Sequence, residues 1–91
     1  MPVTERQLRA ATWTLQFEHD NFRAHTTDVA PGMALLHDNG KIAYRVKGKG
    51  TTDSLSQATR WWNDNEKKLR ADGGYVAPGS VDQIRQKRAG L

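Results

Sequence analysis

The clearest alternation of apolar and polar positions runs from Met33 to Lys47, MALLHDNGKIAYRVK. Asn39-Gly40 at its centre is the dipeptide that a two-residue type I′ turn asks for, because both turn residues take positive φ. With the turn there, Asp38 faces Lys41, His37 faces Ile42, Leu35 faces Tyr44 and Met33 faces Val46. Successive side chains point to opposite faces of a strand. One face then carries Met33, Leu35, His37, Ile42, Tyr44 and Val46, and is expected to be buried. The other carries Ala34, Leu36, Ala43, Lys41, Arg45 and Lys47, and is cationic. The pattern predicts an antiparallel hairpin over about 33–47.

Helical spacing is expected on both sides of it. Thr4 with Gln7 reads as a capping box, and Val3 before the cap can staple onto Leu8. A long N-terminal helix is expected from about Glu5 to Phe22. At about 100° per residue, Leu8, Ala11, Leu15 and Phe22 make one stripe, and Ala10, Trp13 and Phe17 a second, roughly opposite. A helix apolar on two sides needs cover on two sides, so the second stripe is either buried or meets a partner. His25 to Gly32 reads as a connector, and Gly48 to Thr52 as a flexible loop. Ser54 with Gln57 opens a second helix over about 55–72, stopped by Gly73-Gly74. Its stripe of Leu55, Ala58, Trp62 and Leu69 makes it the lid that a marginal two-stranded hairpin requires. Tyr75 to Ala77 suggests a short third strand, and Ser80 with Gln83 opens a short C-terminal helix to about Ala89. The expected fold is α+β, a single small domain over 1–91, in the order α-β-β-α-(β)-α.

Composition narrows the class. With 36% hydrophobic and 26% charged residues, the chain is too apolar for disorder and too polar for a membrane protein. No apolar run approaches the roughly 18 residues of a spanning helix. The opening MPVTERQLRAA holds no basic segment followed by an apolar one, which points to the cytoplasm rather than secretion. With no cysteine, disulfides, thiolate catalysis and cysteine-based zinc sites are excluded.

The net charge of +4 is unevenly spread. Residues 31–50 hold Lys41, Arg45, Lys47 and Lys49 against Asp38, a balance of +3. Residues 75–91 hold Arg85, Lys87 and Arg88 against Asp82, a balance of +2. The remaining segments are neutral or slightly acidic, so attraction for polyanions belongs to the hairpin and the tail.

Catalytic and metal chemistry find little support. His19, His25 and His37 match no ligand spacing, and no metal or other cofactor is expected. Gly48-Lys49-Gly50-Thr51-Thr52 lacks the spacing of a phosphate-binding loop, because a glycine rather than Ser or Thr follows its lysine. Asp64 and Glu66 fall on opposite sides of the second helix and form no dyad, and no Ser lies in a nucleophile elbow. A non-enzymatic protein without a small-molecule substrate is expected.

Binding is the better-supported class. Lys41, Arg45 and Lys47 project together with Lys49 just beyond, a pattern suited to phosphates or guanine edges, and Arg85, Lys87 and Arg88 extend it. The same lysines also suit a solvated face that discourages edge-to-edge aggregation. Leu36 and Ala43 on that face either touch thymine methyls or mark a surface covered by protein. Trp61 reads as a half-buried edge residue, an interface anchor or a base-stacking platform.

The stretch IAYRVKGKGTTDSLSQATRWW resembles the arm-type DNA-binding domains of tyrosine recombinases in element order and a few residue types. Those are small sheets with basic strands and one packed helix. The resemblance spans about Met33 to Leu69, leaves the N-terminal helix outside and assigns no family. Two functions are therefore expected in turn. The first is a small DNA-binding or regulatory protein, phage- or plasmid-encoded, gripping duplex DNA with Lys41, Arg45, Lys47 and Lys49 and dimerising through Ala10, Trp13 and Phe17. The second is a protein-binding module, such as a phage-encoded inhibitor of a host protein, using Trp13, Phe17 and Trp61.

Overall fold

A computed structural model describes residues 1–73, so the expected strand at 75–77, the C-terminal helix and the cations Arg85, Lys87 and Arg88 lie outside the described residues. The elements are α1 (Glu5–Ala10), β1 (Thr14–His19), β2 (Phe22–Thr26), β3 (Met33–Asp38), β4 (Lys41–Val46), β5 (Gly50–Thr52), α2 (Leu55–Asp64) and α3 (Glu66–Ala71). The five strands form one antiparallel meander in the order β1-β2-β3-β4-β5. The α+β class holds, with more sheet and less helix than the sequence suggests.

The long N-terminal helix is the main correction. Its cap forms as expected: Gln7 N–H donates to Thr4 Oγ1 at 3.1 Å, and Thr4 N–H donates back to Gln7 Oε1 at 2.9 Å. The helix nevertheless ends at Ala10, and Ala11 is already extended. Trp13 helps to close that end, because its indole N–H donates to the carbonyl of Leu8 at 3.2 Å. From Thr14 to His19 the chain is a strand with a register shift between Leu15 and Phe17, and Thr and Phe favour that state. A period-2 run drawn on a helical wheel splits into two opposed stripes, which is how Leu15 and Phe17 mimic a two-sided helix. Asp20 then takes φ +53° and reverses the chain into β2. The β2 strand also takes His25 and Thr26 out of the expected connector.

The central hairpin follows expectation. Asn39 and Gly40 have φ +51° and +83°, and β3 pairs with β4 in the register read from the sequence, Met33 to Val46 through Asp38 to Lys41. The expected flexible loop instead supplies β5, which pairs Thr51 with Arg45 and Thr52 with Tyr44.

The second helix begins at its expected cap, with Gln57 N–H donating to Ser54 Oγ at 3.2 Å. It breaks at Asn65 (φ −118°, ψ 17°), splitting the expected 55–72 span into α2 and α3. Asn63-Asp64-Asn65 is a run of weak helix formers whose side chains compete for backbone hydrogen bonds, which accounts for the interruption. Its apolar stripe survives: Ala58, Trp62 and Leu69 are buried, and Leu55 is half-buried against the same cluster. Asn63 clamps the N-terminal segment, accepting from Val3 N–H and donating to Val3 C=O at 2.9 Å each.

Two apolar clusters result, one on each face of the sheet. The first joins Val3, Leu8, Ala30, Met33, Val46, Ala58, Trp62 and Leu69, and all the helix-derived core residues belong to it. Trp62 is its centre, donating its indole N–H to Pro31 C=O at 2.8 Å beneath the Arg70 guanidinium, 4.8 Å from the ring. The second joins Phe22, Ala24, Ala34, Leu36 and Ala43, with Phe17 against it. The expected division into a buried face and a cationic face is thus corrected. Ala34, Leu36 and Ala43 are buried on the cationic face, while Ile42 on the other face is 46% exposed. The cause is β2, which was not expected: it lays Phe22 and Ala24 beside Leu36 on the cationic side. Among the described residues, no helix is long and apolar enough to cross a membrane.

Candidate nucleic-acid interface

The cations of β4 are positioned by its pairing on both sides. β3 fixes Lys41 opposite Asp38 and Arg45 opposite Ala34, and β5 fixes Arg45 opposite Thr51. Lys47 follows directly, its backbone held by a 2.9 Å bond from its N–H to Gly32 C=O. Lys49 stands in the turn to β5, donating its N–H to Val46 C=O at 3.0 Å. Lys41, Lys47 and Lys49 are exposed, and Arg45 is half-buried. At about 3.4 Å per residue, Lys41 and Arg45 stand roughly 14 Å apart, comparable to the ~12 Å width of a DNA major groove.

Acidic groups lie at both ends of this row. Asp38 flanks Lys41, and Asp72 Oδ2 lies 3.9 Å from Lys47 Nζ. That pair is exposed on both sides, so solvent screens it. No acid occurs between Asp38 and Asp53. The Oδ1 of Asp38 is buried and has no hydrogen-bond partner among the described residues.

Two details of the expected DNA contact change. Leu36 and Ala43 are each 3% exposed, so they form the floor beneath the cations and do not reach thymine methyls. The hairpin is also not a free ribbon, being flanked by β2 and β5, so it cannot sink into a groove edge-first. The cations that reach solvent from it are Lys41, Lys47 and Lys49. The resemblance to arm-type domains is likewise one of element order after Met33, with β1 and β2 outside it.

The expected protein-interface residues are dispersed. Ala10 is exposed at the end of α1, Trp13 and Trp61 pack partly on the first cluster, and Phe17 packs on the second, 6.2 Å from Phe22. The helical stripe of Ala10, Trp13 and Phe17 does not exist, because only Ala10 is helical. Leu15, which the sequence placed on the opposite stripe, is 48% exposed on the edge strand β1.

Sequence reasoning missed a polar cluster at the other end of the helix-covered face. His25 of β2 and His37 of β3 meet edge to face, with ring centroids 5.2 Å apart. Arg23 lies directly opposite His37. The signal was the alternation of FRAHT, hidden because Phe22 was read as the end of a helix. Among the described residues, no group of three or more His, Cys, Asp or Glu side chains could hold a metal ion. Comparison with known proteins adds no relative: no family model, no curated protein and no solved structure matches the chain.

Proposed function

We propose that the chain is a small, non-enzymatic DNA-binding module with a regulatory role, gripping the phosphate backbone of duplex DNA with Lys41, Arg45, Lys47 and Lys49. The observation that carries this reading is the pair Lys41 and Arg45 on one face of β4, held by neighbouring strands, with Lys47 and Lys49 just beyond it, in a stretch without an acid from Asn39 to Thr52. Long cationic side chains above a buried apolar floor contact phosphates, and such contacts position a protein on DNA without reading much sequence. Four phosphate contacts should give a salt slope of about −3.6, so affinity should fall roughly a hundredfold between 50 and 200 mM salt. Titration of a labelled duplex by fluorescence anisotropy at both salts tests this. The double variant R45Q/K47Q should bind more weakly and show a slope shallower by about two. Unchanged affinity and slope would reject the assignment.

The exposure of Leu15 favours a second reading, in which β1 presents an outer edge to a host protein. Edge strands accept an added strand through main-chain bonds, with side chains such as Leu15 and Phe17 giving preference. Leu15→Lys should weaken capture of such a partner without altering the fold. Unfolding of the variant would place Leu15 in the core instead.

A further inference from the structure

The Arg23, His25 and His37 cluster is not used by the cationic face and lies on the opposite side of the sheet. Arg23 and His25 occupy alternate positions of β2 and so share a face, and His37 of β3 is Arg23's direct cross-strand neighbour. With Asn21, Asn39 and Gly40 these side chains line an open depression of about 710 Å³. Its lining carries a guanidinium, two imidazoles and two carboxamides, and no acid.

The groups facing the pair from neighbouring strands leave this balance in place. Leu15 and Leu35 stand opposite His25, and Ile42 stands opposite His37, all apolar. Glu18 of β1 is the one carboxylate in the row, with Oε1 3.4 Å from Arg23 Nε. Both members of that pair are about half exposed, and a guanidinium carries five N–H donors in all. Partial burial, then His37 and Arg23, hold the His25 imidazole below its ordinary pKa. Three groups able to carry positive charge are therefore crowded together at an open surface, and a dianion relieves that crowding.

We propose that Arg23, His25 and His37 form a second binding site, specific for a tetrahedral oxyanion of the phosphate type. Arg23 supplies planar donors suited to two oxygens, and the imidazoles donate once protonated. A divalent metal suits the site less well, because Arg23 repels it and only two imidazoles could ligate.

Sulfate is the probe for the shared chemistry, since its charge is constant across the useful pH range. Histidine side-chain NMR signals should shift saturably for both His25 and His37, with tighter binding at pH 6 than at pH 8. Each unit by which the anion raises a histidine pKa corresponds to about a tenfold gain in affinity at the lower pH. Arg23→Gln, at an exposed side chain, should weaken binding at least about tenfold while leaving the thermal transition in place. Glycerol phosphate and a 5′-phosphorylated oligonucleotide then distinguish a free phosphate monoester from a nucleic-acid end. Non-saturating shifts, shifts equal in Arg23→Gln, or saturation by zinc ion but not by sulfate would each overturn the proposal.

Discussion

The two ends of one sheet face differ in what covers them. At one end, Met33 and Val46 lie fully buried against Ala58, Trp62 and Leu69. At the other, His37 and Ile42 on the same two strands lie beyond the helices, with Ile42 46% exposed. Among the described residues the strands are continuous, and the difference follows the reach of the helices. α2 and α3 together hold 16 residues (10 plus 6) and are broken at Asn65, so they cover only part of the face. Among the described residues, the buried apolar contacts of this face concentrate at the helix-covered end.

Substitutions should separate the two ends by magnitude. Trp62→Ala removes the largest fully buried side chain and its bond to Pro31, and should cost about 3–5 kcal/mol in urea denaturation. A loss below about 1 kcal/mol would show that the covered end does not carry the fold. Gly32→Ala should come next, at about 1–3 kcal/mol. Gly32 has φ +90°, and a Cβ there would lie 2.8 Å from Leu69 Cδ2, so both backbone and packing object.

The uncovered end should respond to pH instead. His25 has its folded-state pKa below the unfolded value, so the unfolded chain binds more protons. Its contribution is therefore lost as pH falls through about 6.5 towards the lower folded value. Denaturation midpoints at pH 8 and pH 5.5 should differ more for the natural chain than for His25→Gln. An equal pH response in both would remove His25 from the account. The smallest effect belongs to Ile42→Thr, expected within about 0.5 kcal/mol because about half of the residue is already in water.

Legibility in the sequence followed the same physics. The central hairpin could be read residue by residue, because Asn39-Gly40 sets the turn and the alternation around it sets the register. The two caps at Thr4 and Ser54 were equally plain, being local hydrogen-bond chemistry. The β1–β2 pair was not, since Asp20-Asn21 is a weaker turn signal and the preceding capping box invites extending the helix. The missed strand pair had two consequences for function. It hid the burial of Leu36 and Ala43, and it hid the meeting of His25 with His37. The cations were legible because Lys41 and Arg45 share one face of the best-read strand and Lys47 and Lys49 follow it, whereas Arg23 acquires its neighbours only through tertiary pairing.

The most direct test of the central claim is the salt dependence of duplex binding by the natural chain and by R45Q/K47Q. The account predicts a steep loss of affinity with salt, roughly a hundredfold between 50 and 200 mM, reduced in slope by about two in the variant. Binding that is weak at both salts, or identical in the two proteins, would contradict it and make the β4 cations a solvated surface.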